Sequence, residues 1–120
     1  MPAISVEDFK AHLRANRGMI LVKFSATWCV PCQRIAVQVR DWFNRFPSDQ
    51  VQTLYVDIDE SIELYSFLKS KKMIKGVPAI LMYVTGNTSY VFDDAVNTSD
   101  AQEVERFFRR CVLALGEMRA

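Results

Sequence analysis

Apolar positions follow two rhythms along this chain: a spacing of three or four residues, and short runs that are apolar throughout. Ser5-Val6-Glu7-Asp8 has the form of a capping box. It predicts a helix running to about Asn16, with Val6, Phe9 and Leu13 on one face and Gly18 ending it. Met19 to Ser25 is apolar at both alternating sets of positions, as in a central strand buried on both sides. A second helix is predicted from Pro31 to about Phe46, with Pro47 terminating it. Ile35, Val39, Trp42, Phe43 and Phe46 recur there at helical spacing, which assigns Trp42 to the core.

Val51 to Ile58 alternates as a strand, Ser61 to Ser70 predicts a shorter helix, and Lys71 to Gly76 a basic loop. Val77-Pro78 leads into a strand over Ala79–Val84. Thr85-Gly86-Asn87-Thr88 would turn it into a partner strand over Ser89–Asp93. Ser99 is the expected cap of a last helix, whose stripe is Val104, Phe107, Phe108, Cys111, Val112 and Leu115. Alternating strands and helices imply an α/β fold, with a parallel sheet covered on both faces and an antiparallel hairpin at one edge.

Composition narrows the class. A chain of 120 residues forms a single domain, here residues 1–120, whose core needs no disulfide staples. Fifteen basic against fourteen acidic residues give no support for a nucleic-acid partner. The apolar runs are too short to cross a bilayer, so no membrane partner is expected. An odd count of three cysteines suits a reducing compartment better than a secreted scaffold. No signal peptide, repeat or low-complexity tract is visible.

The chemistry concentrates in Trp28-Cys29-Val30-Pro31-Cys32, between the apolar strand and the second helix. A strand ending in Cys-x-x-Cys aims the helix dipole and its free N–H groups at the first sulfur. This lowers a thiol pKa from about 8.5 towards about 7 or below, so a nucleophilic thiolate exists at neutral pH. Cys29 alone is expected to combine a helix N-terminus with exposure. Pro31 suits the first helical turn. Dithiol–disulfide exchange is the reading favoured over two others. A zinc site needs four ligands, and beyond the pair only Cys111 and His12 are on offer, without ligand-like spacing. A disulfide three residues apart closes too small a loop to be mainly structural. No metal and no cofactor are therefore expected. Cys111 reads as an inert core residue, and His12 as a polar-face residue with no partner.

Three segments, in order, carry a resemblance over essentially the whole length: Phe24-Ser25-Ala26-Thr27-Trp28-Cys29 with Pro31-Cys32, then Val56-Asp57-Ile58-Asp59-Glu60, then Val77-Pro78. Together they resemble the eukaryotic-type thioredoxins. The resemblance implies a thioredoxin fold, a central mixed sheet flanked by helices on both faces. It implies that Cys29 attacks a target disulfide and that Cys32 resolves the mixed disulfide. Trp28, Val77 and Pro78 would form the docking surface, with a cis bond before Pro78 leaving the Val77 backbone free to pair with a peptide, and Val30, a departure from the family, is expected to add to that surface.

The departures from that family are equally specific. Val30-Pro31 stands where Gly-Pro is usual, which stiffens the turn and adds apolar surface. Lys23 stands where the family has a buried aspartate, and Tyr55 takes the place of the lysine that pairs with it. A carboxylate–ammonium pair thus becomes an ammonium–phenol pair. Neutral, Lys23 relays a proton; charged, it stabilises thiolates; or it snorkels to solvent and takes no part. Val37 replaces a kinking proline, so the helix should run straighter. Asp94 is expected where a family glycine keeps the peptide groove open. The loop before Val77 is longer than in the family and carries Lys69, Lys71, Lys72 and Lys75, either a solvated face or a site for an acidic partner. Only Pro2-Ala3-Ile4 precede the first helix where the family has an edge strand, so that strand is short or an upstream segment, such as a transit peptide, has been removed.

Two functions compete. One is a protein disulfide oxidoreductase, with Cys29, Cys32 and Lys23 as its catalytic residues. The other is a chaperone-like or scaffolding protein, binding extended chains through Trp28, Val30 and Val77 and exchanging disulfides weakly. The expected partners are clients bearing disulfides or extended segments and a dithiol reductant, for a monomer in the cytoplasm or an organellar matrix such as the mitochondrial one.

Overall fold

The structure, a computed structural model, describes residues 3–119. Its elements run α1 (Val6–Arg14), β1 (Met19–Ser25), α2 (Val30–Arg45), β2 (Val51–Asp57), α3 (Ile62–Ser70), β3 (Ala79–Val84), β4 (Asp94–Val96) and α4 (Ala101–Arg119). The strands form one sheet in the order β2-β1-β3-β4. β1 is parallel to β2 and antiparallel to β3, and β3 is antiparallel to β4, so the sheet is mixed, as the resemblance implies.

Alternation along β1 assigns each side chain to one of two cores. Ile20, Val22 and Phe24 meet Phe9 and Leu13 of α1 and Leu64 and Leu68 of α3. Met19 and Leu21 meet Ile35, Val39 and Phe43 of α2 and Phe107 and Phe108 of α4. Six of the seven β1 residues are buried, as an unbroken apolar run requires. Trp42 belongs to the second core: its ring stacks on Phe108 at 5.3 Å, and its indole N–H donates to Glu105 Oε2 at 3.0 Å. With Val37 in place of a proline, α2 is one unbroken helix of 16 residues.

The predicted capping box forms. Ser5 Oγ accepts from the Asp8 N–H, and Asp8 Oδ2 accepts from the Ser5 N–H, both at 3.0 Å. Before it, Pro2 lies outside the described residues, and Ala3 and Ile4 make no strand; the Ile4 N–H donates to Ser61 Oγ at 2.8 Å.

Three expectations are corrected. The return strand is Asp94–Val96, not Ser89–Asp93. Polar side chains take the hydrogen bonds that a longer ladder would need. Asp93 Oδ2 accepts from the Val84 N–H at 2.8 Å, and Asn87 Nδ2 donates to the Val91 carbonyl at 2.9 Å. The cap of α4 is Asp100, one residue past Ser99; its Oδ1 accepts from the Gln102 and Glu103 N–H groups at 2.9 and 3.3 Å. Val112, expected in the buried stripe, lies at its margin and is 46% exposed.

Two backbone positions constrain sequence tightly. At Gly18 the chain runs against β2, where the Met19 N–H donates to the Gln50 carbonyl at 2.9 Å, and a Cβ on Gly18 would overlap that same oxygen. After α3, the Met73 N–H reaches the Leu68 carbonyl and the Lys72 N–H the Lys69 carbonyl, a Schellman closure with Lys72 at φ 63°. Gly18→Ala should therefore destabilise the fold by about 1–3 kcal/mol. Lys72→Gly should stabilise it by up to about 1 kcal/mol by relieving a left-handed residue. Urea midpoints at constant m-value measure both.

Candidate functional site

Cys29 and Cys32 meet at the carboxyl end of β1. Cys29 is the N-cap of α2 with extended backbone, and Pro31 stands in the first turn, so the helix opens on the sulfurs. The two cysteines are joined in a disulfide with Cα atoms 5.3 Å apart, and the Cys32 N–H donates to Cys29 Sγ at 3.1 Å. No acidic residue occupies the first turn of α2, so nothing there offsets the positive end of the helix dipole. The geometry favours a thiolate on Cys29 when the pair is reduced. Cys29 is 3% exposed and Cys32 1%, so the expectation of an exposed Cys29 is corrected. The sulfur is sunk between the helix end and the loop before β3.

That loop carries the cis Val77–Pro78 bond. The Val77 carbonyl oxygen lies 3.8 Å from Cys29 Sγ. Pro78 is buried and Val77 half-buried. Trp28 and Val30, the chain neighbours of Cys29, are 64% and 62% exposed, apolar side chains left open next to a covered sulfur. The Trp28 indole N–H donates to Asp59 Oδ2 at 2.8 Å, which fixes the ring over the β2–α3 turn. Asp59 is in turn positioned by its own N–H, which donates to Asp57 Oδ1 at 2.8 Å.

Lys23 is 5% exposed, at the centre of β1 beside Tyr55 of β2. Strand alternation turns it towards the α2/α4 face with Met19 and Leu21. No hydrogen bond joins it to Tyr55, so the expected ammonium–phenol pair is not made; among the described residues Lys23 has no hydrogen-bond or ion-pair partner. Burial pushes its pKa below the usual lysine value. Burial also raises the Tyr55 phenol, with Arg40 opposing, and the Tyr55 ring packs on Phe43 at 5.1 Å. Both shifts favour the neutral forms.

Other expectations resolve by placement. Asp94 bonds to α4 and not to the Val77–Pro78 loop. It pairs with Met82 of β3, and its carboxylate takes a forked bond from Arg110 at 2.7 and 3.2 Å, which ties β4 to α4. The residue beside the Val77–Pro78 loop that sequence reasoning missed is Asn97. Its side chain donates to the Gly76 and Pro78 carbonyls at 3.1 and 2.8 Å and accepts from the Lys75 N–H at 2.8 Å. An asparagine directly after a strand and shortly before a helix cap is the only signal for it. Cys111 is fully buried in the α2/α4 core, the opposite face from Cys29 and Cys32, and cannot join them at a metal; burial raises its thiol pKa far above the usual range. Lys71 lies over the rings of Phe67 and Tyr90 at 5.8 and 5.7 Å.

The family model described as Thioredoxin matches residues 1–109. Thioredoxin-2 of Pyricularia oryzae is 30% identical over 82 residues, 68% of this chain and 44% of that protein. Thioredoxin 3 of Plasmodium falciparum is 27% identical over 98 residues, 82% of this chain and 51% of that protein. The chain thus spans about half the length of these two curated relatives. The X-ray structure of Fasciola hepatica thioredoxin superposes with a TM-score of 0.70 at 23% identity, over 92% of this chain and 98% of that one, which shows the fold.

The buried lysine yields a stability test. Its folded pKa lies below its unfolded value, so charging it is penalised in the folded state. That penalty is complete at low and neutral pH and is released as pH rises through the folded pKa towards about 10.4. Lys23→Met should therefore be more stable than the parent at pH 7, with the difference shrinking as pH approaches 10. Urea unfolding of both chains across that range measures it, and a constant difference would remove the desolvated amine from the account.

Proposed function

Because the chain belongs to the thioredoxin family, matched over residues 1–109, we propose that it is a protein disulfide oxidoreductase working through the Cys29/Cys32 couple. The observation that carries this reading is the disulfide at the opening of α2, with the Val77 carbonyl 3.8 Å from Cys29 Sγ beside it. In the reduced protein the Cys29 thiolate attacks one sulfur of a client disulfide. A mixed disulfide forms, and the other client sulfur leaves as a thiolate that takes up a proton. Cys32, deprotonated, then attacks Cys29 Sγ, closing the Cys29–Cys32 bond and releasing the second client thiol. Two electrons and the Cys32 proton pass from the pair to the client, the second proton comes from solvent, and an external dithiol reduces the pair again.

Lys23 is assigned no step in this scheme: strand alternation turns it to the α2/α4 side, whereas Cys32 packs in the core of α1 and α3. Trp28, Val30, Val77 and Pro78 receive the client: the first two offer apolar surface, and the Val77 backbone offers strand-like pairing. The partners are clients bearing disulfides and a dithiol reductant, and the protein works as a monomer in a reducing compartment. Among the described residues no helix is long and apolar enough to cross a membrane. A second reading, chaperone-like binding of extended chains, is favoured by the exposure of Trp28 and Val30 together.

An insulin-reduction assay run beside a holdase assay separates the two readings. The oxidoreductase should precipitate insulin with dithiothreitol as donor, and Cys29→Ser should lose that activity entirely. Cys32→Ser should trap client proteins as mixed disulfides through Cys29, which a non-reducing gel followed by mass mapping detects. Equal trapping by both variants would overturn the assigned roles, and holdase activity without insulin reduction would favour the binding protein.

A further inference from the structure

The last residue of β4, Val96, pairs with Ile80 of β3, so the antiparallel register brings Asn97 opposite Ala79, the first residue of β3, next to the Val77–Pro78 loop. There its carboxamide uses both faces of its chemistry. Oδ1 accepts from the Lys75 N–H, and Nδ2 donates to the carbonyls of Gly76 and Pro78. The reversed amide would set an oxygen against two carbonyl oxygens, so this orientation is fixed by its partners. Residues 75, 76 and 78 are therefore all held by one side chain, and Val77 between them is not. Among the described residues the Val77 N–H has no hydrogen-bond partner, and its carbonyl faces Cys29 Sγ at 3.8 Å.

We propose that Asn97 is a positioning residue for client binding: it clamps the loop on both sides of Val77 and so presents that one peptide unit to an extended chain. The inference rests on the oxidoreductase reading and deepens it, because it makes the Val77 backbone a selector for polypeptide disulfides over small ones. A client strand pairing with Val77 needs the loop already in place; a disulfide without a peptide backbone needs only access to Cys29. No other uncharged side chain of this reach supplies two donors and an acceptor together. Asn97→Asp is the sharpest probe, since it keeps the size and the acceptor but sets a carboxylate against two carbonyls.

The test compares reduction of insulin with reduction of 5,5′-dithiobis(2-nitrobenzoate), for the parent, Asn97→Ala and Asn97→Asp. The ratio of kcat/KM for insulin to that for the small disulfide should fall about tenfold in each variant, mainly through KM, the scale of one or two lost hydrogen bonds. An unchanged ratio, including equal loss on both substrates, overturns the clamp. Amide hydrogen exchange on the parent gives a second measurement that needs no variant to fold. The Lys75 amide should be protected and the Val77 amide should exchange fast. Equal protection of the two overturns the proposal. A parent inactive on both disulfides would instead defeat the oxidoreductase reading, leaving the exchange pattern to decide the clamp by itself.

Discussion

The structure depends on a strand that must be apolar on both sides and must end in open chain. β1 has helices over each face, so every residue from Met19 to Phe24 is out of water. Its carboxyl end is then the one place where the central layer stops, and the chain leaves through Ser25–Trp28 into α2. A helix begun at that point necessarily directs its unsatisfied N–H groups back at the strand end. The Cys29 sulfur accepts one of them. The redox pair is thus a by-product of how a buried strand hands over to a covering helix.

Around that handover, three contacts from different parts of the sheet gather beside the disulfide. Asp59, just past β2, fixes Trp28; the loop before β3 brings Val77 to the sulfur; Asn97, just past β4, holds that loop. Each comes from a strand end or the turn beside it, and the sheet register sets their mutual distances. Lys23 is the exception within the layer. Placing an amine in that layer costs stability that an apolar residue would not, and burial depresses its pKa.

Much of this was legible in the sequence, for a physical reason. The β1 boundaries, the capping box at Ser5, the core role of Trp42 and the cysteine pair all follow from local pattern: periodicity, a side chain reaching its own backbone, two thiols three residues apart. The misses share the opposite cause. Ser89–Asp93 alternates well enough for a strand, but Asn87 and Asp93 compete for its hydrogen bonds. Ser99 and Asp100 are both good caps, and only the geometry chooses between them. Asp94 and Asn97 lie three residues apart in a short segment, and which of them reaches the Val77–Pro78 loop depends on a register with β3 that no local pattern encodes. The covering of Cys29 has the same origin, since the Val77 loop is distant in sequence.

The two tryptophans have a consequence of an optical kind. Trp28 stands in the open beside a disulfide, while Trp42 is stacked on Phe108 in the α2/α4 core, 9% exposed. A disulfide quenches a neighbouring indole by accepting an electron from its excited state, and a dithiol does so far less. The emission of Trp28 therefore follows the redox state of the pair, while that of Trp42 follows the integrity of the packing. With no further tryptophan in the sequence, the chain carries its own pair of reporters, one for chemistry and one for folding, in a single spectrum.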